Sequence, residues 1–213
     1  MIDGGIVITE NEWFLRNDVL LNIKLRHSIR NFTNAEVSED DIMTLLKAAN
    51  KAPSAHNKQS WKFIVLRGAK KNQLAEMISS RSAEFPRTAA ALLRMAARSI
   101  SSAPVVIAIA NTGELIHHGQ SLFGIEESMA HDFFRTMEIQ SSSAAVENLL
   151  LAATSLELAT VWLGIMYLLK DEVLHFLGEP KGEFMAVIPV GHSDKVTKGP
   201  AKQKVDALVK YLQ

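Results

Sequence analysis

The 213-residue sequence contains no cysteine. That excludes disulfides, thiolate zinc sites, cysteine-ligated iron–sulfur clusters and a cysteine nucleophile together. It also lacks an excess of charge: Lys plus Arg and Asp plus Glu each total 23. No overall field therefore draws the chain to nucleic acid or to an acidic membrane, and any anion has to be bound locally. The opening "MIDGGIVITENEWF" has neither the basic start nor the apolar run of a signal peptide. The most apolar stretch, 144–169, carries Glu147, Asn148 and Glu157. Charges there are expensive in a bilayer, so the stretch reads as a buried helix running into a strand. These absences fit a reducing cytoplasm, with no membrane and no nucleic-acid partner.

Several catalytic signatures are missing as well. No G-x-G-x-x-G, G-x-x-x-x-G-K-[ST] or G-x-S-x-G occurs, and the histidines lack H-E-x-x-H spacing. "GHSD" at 191–194 places its histidine, serine and aspartate too close in sequence for an ordinary triad. With no thiol, metal site or acid–base pair, the hard chemistry comes from a bound cofactor, or there is none.

Apolar spacing from Trp13 to Leu25 predicts a first helix with a basic exit. Ser38 and Asp41 form a capping-box-like start to a second helix, whose face is Ile42, Leu45, Leu46 and Ala49. Pro53 stops it near Asn50. Residues 61–68 and 103–112 read as strands, with helices near 69–80 and 87–99 between them. In the second of these, Leu92, Leu93 and Ala96 oppose Arg94 and Arg98. After a weakly periodic 113–143 come a helix over 144–158, a short strand in "TVWLGIMY", a short helix closed by Gly178, a last strand in "EFMAVIPVGH" and a lysine-rich tail ending in a weak helix. Strands alternating with helices point to an α/β or α+β sheet in one domain over 1–213, with a lid or insertion around 81–143.

Four places have side chains suited to a ligand. In "RHSIR", an extended backbone puts Arg26, Ser28 and Arg30 on one side, two guanidinium forks and a hydroxyl for one phosphate; a solvated basic helix end is the alternative. After Pro53, the loop holds Ser54, His56, Asn57, Gln59 and Ser60. The amides of Asn57 and Gln59 match the carbonyl and N–H edge of a planar heterocycle, or else they satisfy the loop's own backbone. Gly164 lets a backbone N–H approach a flat ligand, or marks a bulge. Lys195, Lys198, Lys202 or Lys204 in the tail is placed to close over a phosphate, or is surface.

The order of these pieces resembles the FMN-dependent nitroreductase family over nearly the whole chain. The family's R-[RH]-S-x-R-x-F is present as "RHSIRNF", and its A-P-S-x-x-N-x-Q-x-W-x-F as "APSAHNKQSWKF". The resemblance implies an α+β fold, a mixed or largely antiparallel central sheet flanked by helices, in an intertwined homodimer with FMN at the interface and the 144–158 helix buried in it. By position, Arg26, Ser28 and Arg30 would hold the FMN phosphate, ribityl chain and pyrimidine edge, with His27 acting through its backbone. Asn57 would bond the isoalloxazine ring, Pro53 and Ser54 would come from the other subunit, Leu163 and Gly164 would bring an N–H to flavin N5, and Lys202, or else Lys198, would meet the phosphate. The flavin would carry the chemistry without a catalytic side chain. NADPH or NADH would deliver a hydride and a small-molecule acceptor, such as a nitroaromatic or quinone, would receive it in ping-pong fashion. Specialised flavoenzymes of the same fold, acting as dehalogenases, flavin-fragmenting enzymes or dehydrogenases, and a non-catalytic flavin-binding protein are the alternatives. Ile165 stands where the family often has a second glycine, Glu157 where it has the glycine of "LGLG", and the tail offers lysine for arginine. Arg94, Arg98, Phe123, His131 and Phe133 are candidates to line a pocket roof.

Overall fold

The computed structural model describes residues 14–124, 126–195 and 199–212. Its helices are α1 (Asp18–Leu25), α2 (Glu39–Asn50), α3 (Gly68–Arg81), α4 (Arg87–Ser102), α5 (Glu114–Phe123), α6 (Glu127–Ser155) and α7 (Lys170–Phe176). Its strands are β1 (Trp61–Arg67), β2 (Val105–Asn111), β3 (Ala159–Thr160) and β4 (Glu183–Gly191), in the spatial order β1-β2-β4-β3. Every ladder is antiparallel. The one parallel contact among the described residues is a bridge between Ser28 and Thr160. This is an α+β sheet flanked by helices, as the sequence suggested.

All seven residues of β2 are buried, because helices cover both faces of the sheet. Alternation then divides the core in two. Val105, Ile107 and Ile109 join Ile188 and Val190 of β4 against Leu45 of α2 and Leu149 of α6. Val106, Ala108 and Ala110 join Val187 against Leu74 of α3, Leu93 of α4 and Leu163 to Leu174 beyond β3. Among the described residues no helix is long and apolar enough to cross a membrane.

Helix α2 begins and ends where the sequence placed it. Ser38 Oγ accepts from Asp41 N–H at 3.0 Å and donates to the Asp41 carboxylate at 2.6 Å. At the other end Asn50 Oδ1 accepts from Trp61 Nε1 at 3.0 Å, tying the helix to the start of β1.

Five expectations are corrected. Helix α1 spans only Asp18–Leu25 and buries none of its residues. Most of the weakly periodic 113–143 is helical: α6 begins at Glu127, 17 residues before the expected start. Its buried face there includes Glu138, Ser141 and Ser142, which interrupt the apolar period. "TVWLGIMY" is not a strand; β3 stops at Thr160, and Gly164–Leu169 turns into 3-10 helix. Among its described residues the tail holds a single 3-10 turn, at Val205–Ala207, instead of a terminal helix, and no residue of that turn is buried. On α4, Leu93 and Ala96 are buried but Leu92 is exposed.

The exit of α6 is a Schellman turn with an unusual residue in it. Leu158 N–H donates to Ala153 O at 2.8 Å and Glu157 N–H to Thr154 O at 3.1 Å. Glu157 therefore takes φ +58°, where glycine is the usual occupant. Its side chain is exposed, so nothing is lost by trimming it. Glu157→Gly is expected to raise the unfolding free energy by about 0.5–1 kcal/mol, and Glu157→Val to lower it by about 1–2 kcal/mol. Urea midpoints of the two variants check this; equal midpoints would remove the strain argument.

Candidate functional site

The segment after α1 is held extended by its backbone. Arg26 N–H closes the helix on Asn22 O at 2.9 Å, Ile29 N–H donates to Thr160 O at 2.9 Å, and Thr33 N–H to His192 O at 2.8 Å. Buried Ser99 of α4 donates its hydroxyl to Arg30 O at 3.1 Å. Held this way, the side chains of Arg26, Ser28 and Arg30 line one cleft of about 770 Å³ with His27, Lys195, Gly199, Pro200 and Lys202. Ser28 and Arg30 are exposed to it. The tail crosses close above: a Cβ at Gly199 would stand 3.1 Å from His27 Cβ. His27 Nδ1 lies 2.8 Å from Leu25 O. Of the tail lysines, Lys195 and Lys202 reach the cleft, Lys204 is not among its lining residues, and Lys198 lies outside the described residues.

Glu147 of α6 forms an ion pair with Arg26, Nε to Oε1 at 3.4 Å. It appeared in the sequence only as a charge inside an apolar run. In the fold it sets the direction of one of the two guanidinium groups and places a negative charge beside the cleft.

The loop that follows α2 is folded on itself. Ser54 O accepts from Asn57 N–H at 2.9 Å and Ser54 Oγ from Gln59 N–H at 3.1 Å. Gln59 Nε2 donates to Asn57 O at 3.1 Å and to its Oδ1 at 3.3 Å. Much of the amide capacity is thus spent inside the loop, the alternative reading for these residues. His56, Asn57 and Gln59 nevertheless all take φ near +50°, at 53°, 52° and 50°. Such a cluster of left-handed non-glycine residues costs about 1–3 kcal/mol each and occurs mainly at ligand clamps. Pro53, His56, Asn57 and Gln59 are exposed, and none of residues 53–60 lines the arginine cleft of the same chain.

Leu163 and Gly164, paired in the sequence, differ in the fold. Leu163 is buried and its N–H is already committed to Val187 O at 3.0 Å. Gly164 is exposed and opens the 3-10 turn, whose first N–H groups have no acceptor within that turn; a Cβ added there would meet only open space.

Sequence reasoning missed a set of polar side chains in the middle of α6. Ser141 Oγ accepts from Ala55 N–H at 3.1 Å and so holds the loop. Ser142 donates to Asn111 Oδ1 at the end of β2, and Glu138 Oε1 accepts from Leu115 N–H at 2.8 Å at the start of α5. Glu138 and Ser142 are one helical turn apart and at most 1% exposed. The signal available in the sequence was three polar residues at i, i+3 and i+4 in an otherwise apolar face. Of the candidate roof residues, Arg94 and Arg98 are exposed on α4, Phe133 packs on Phe134 with ring centroids 5.0 Å apart, His131 lines a separate cleft, and Phe123 meets His56 at 6.2 Å.

The model of the Nitroreductase family matches residues 23–192. The chain is 32% identical over 154 residues to a protein of Archaeoglobus fulgidus named as an NADH dehydrogenase/NAD(P)H nitroreductase, covering 70% of this chain and 68% of that one. It is 33% identical over 156 residues to a protein of the same name from Methanothermobacter thermautotrophicus, covering 73% and 65%. The chain thus spans about two thirds of the length of these relatives. Among solved structures, nitroreductase CinD of Lactococcus lactis, in complex with chloramphenicol, superposes with TM-score 0.74 at 16% identity, over 91% of this chain and 99% of that one. A nitroreductase with bound FMN from Desulfitobacterium hafniense gives 0.68 at 21% identity, over 92% and 99%. The fold, the matched span and the relatives agree, and the chain belongs to the Nitroreductase family.

Proposed function

We propose that this chain is an FMN-dependent oxidoreductase that takes a hydride from NADH or NADPH and reduces electron-poor acceptors, such as nitroaromatics or quinones, by a ping-pong mechanism. The observation that carries the reading is the single cleft along which Arg26, Ser28, Arg30 and Lys202 converge. Its donor set fits a phosphate monoester: guanidinium forks, a hydroxyl and an ammonium, with no carboxylate among the lining residues. A volume of about 770 Å³ lies within the range of cofactor pockets. The strained 53–60 loop supplies a second element suited to ring binding.

Bound FMN would supply reversible two-electron chemistry; the chain's residues would place it. Arg26 and Ser28, with Lys202 above them, neutralise and orient the phosphate. Arg30 supplies positive charge toward the ring's pyrimidine edge, where preorganised charge is worth most. Gly164, rather than Leu163, offers the N–H for flavin N5, because the Leu163 N–H is taken.

The arginine cleft and the 53–60 loop are not lined together within one chain, which supports a homodimer in which Pro53, Ser54 and Asn57 of each subunit complete the other's site. Unburied α1 and the tail point the same way: Val19 and Leu25, and Tyr211 and Leu212 at 83% each, are exposed apolar side chains beyond what a monomer usually presents. We read residues 1–213 as one FMN-binding domain. Within 81–143, residues 87–111 build α4 and central strand β2, so the roof is assigned to α5 and the start of α6.

The purified protein is expected to show a flavin absorbance spectrum that bleaches on anaerobic addition of NADPH or NADH. A colourless protein that takes up no added FMN would sink the reading, and a yellow one inert to both nucleotides would leave a flavin-binding protein without reductase activity. Arg26→Ala combined with Ser28→Ala removes a charged and a neutral hydrogen bond to phosphate, together about 2–4 kcal/mol, and should weaken FMN binding at least thirtyfold. Full retention of FMN through gel filtration would refute the phosphate assignment. Glu147→Gln removes a like charge beside that phosphate and is expected to tighten FMN about two- to fivefold, the scale of an exposed pair; fluorescence titration reads both.

A further inference from the structure

Glu138 is a buried carboxyl that nothing in the proposed chemistry uses. Three buried polar atoms around it have no hydrogen-bond partner among the described residues: its own Oε2, Ser60 Oγ and Asn111 Nδ2. Ser60 closes the 53–60 loop and faces the carboxyl. On the other side, Glu138 Oε1 takes the N–H of Leu115, in the first turn of α5. That helix starts at Gly113, with φ +78° and no capping side chain, so a carboxyl oxygen of Glu138, which accepts from Leu115 N–H whether or not the group is ionised, takes the place of an N-cap acceptor. Farther along, α5 is pinned, since a Cβ at Gly119 would overlap the Phe134 ring. The ring of His118, just beyond the first turn, lies 6.4 Å from His56, the neighbour of Asn57.

We propose that Glu138 is a positioning residue that joins the first turn of α5 to the 53–60 loop, and that its protonation state sets how firmly that turn is held over the site. This rests on the flavin-site reading for its functional consequence but not for the joint itself. The carboxyl also borders a cleft of about 330 Å³, which gives it a route to water. The charged groups there are Arg135 and Glu183, paired with each other, Lys170 and Asp171, likewise paired, and His131, Tyr167 and Lys181. Burial pushes the Glu138 pKa up, while the hydrogen bond from Leu115 N–H, and the Ser60 hydroxyl and Gly113 N–H that face the carboxyl without forming a well-made hydrogen bond to it, pull it back; the nearby Glu183 adds to the rise. A raised pKa means that the closed joint favours the acid form. As pH rises from the ordinary carboxyl range toward that raised value, ionisation favours any state in which the carboxyl reaches water, and the joint loosens until both states are ionised.

Hydrogen exchange of the Leu115 and His117 amides in the full chain, with and without FMN, tests this across pH 5.5–9, against α4 amides as internal reference. In the wild type, protection should fall by up to roughly tenfold per pH unit beyond the chemical rate once the carboxyl titrates. Glu138→Gln keeps an acceptor for Leu115 and cannot ionise, so its protection should be flat. Ser60→Ala, which removes a group that lowers the pKa, should move the transition to higher pH and serves if the glutamine variant fails to fold. In holoenzyme, the KM for a benzoquinone should rise with pH in the wild type and stay constant in Glu138→Gln, with the variant's kcat and its FMN affinity each within about twofold of the wild-type value. Identical exchange profiles in wild type and Glu138→Gln, or loss of FMN along with the joint, would overturn the proposal. Failure to bind FMN with the exchange pattern intact would instead overturn the functional reading.

Discussion

The site depends on a constraint that involves no catalytic side chain: residues 26–33 must run extended along the edge of the sheet. Four hydrogen bonds impose this, from the backbone of Arg26, Ile29 and Thr33 and from the Ser99 hydroxyl to Arg30 O. Once the backbone is fixed, the whole run from Arg26 to Asn31 lines one cleft, to which Arg26, Ser28 and Arg30 bring the guanidinium and hydroxyl groups. A helical continuation of α1 would have spread the same residues around a cylinder at 100° per residue, and the cleft would not exist. The partners come from α4, from the residue that ends β3 and from the one after β4, so the binding surface is a product of the whole sheet.

Neutral overall charge sharpens the reading of this cleft. In a basic protein, two arginines and three lysines in one place would be unremarkable. Here equal numbers of charges are distributed so that a patch without carboxylates forms, and Glu147 touches it only through Arg26. The ion pair keeps one guanidinium pointed in a defined direction at little net stability, since exposed pairs contribute about 0–1 kcal/mol. Its effect is on geometry and on the field at the site rather than on folding.

Much of the fold was legible because its signals are local or fully buried. Ser38 and Asp41 mark the start of α2, the run from Val105 to Asn111 can only be an interior strand between two layers, and Pro53 ends what precedes it. The site was legible as far as side chains of one segment act together, as in "RHSIR". What was not legible depends on tertiary context. The first half of α6 buries Glu138, Ser141 and Ser142 where an apolar stripe was sought, so its period was hidden. After Thr160 the apolar run continues, but Leu163 spends its N–H on β4 and the chain turns at Gly164, a step that no propensity at 160–167 announces. The two amides of the 53–60 loop show the remaining limit: their type suits a ring, but only the folded loop reveals that Gln59 bonds to Asn57 and that both sit in left-handed conformations.

The polar residues of α6 are the least economical feature of the core. An unpartnered buried polar atom costs about 1–3 kcal/mol, and three of them meet where α6 passes the ends of β1 and β2. Leucine or alanine at 138, 141 and 142 would extend the apolar face that α6 already has at Ala145, Val146 and Leu149. The chain would also lose the acceptors for Ala55 and Leu115, the two N–H groups by which the loop and α5 are attached at this point. Hydrophobic contact alone is tolerant of small slides, whereas a hydrogen bond to a backbone N–H fixes distance and direction. A region that must hold a strained loop against a helix start therefore uses polar groups despite their cost, and local rules of sequence are broken where position matters more than stability.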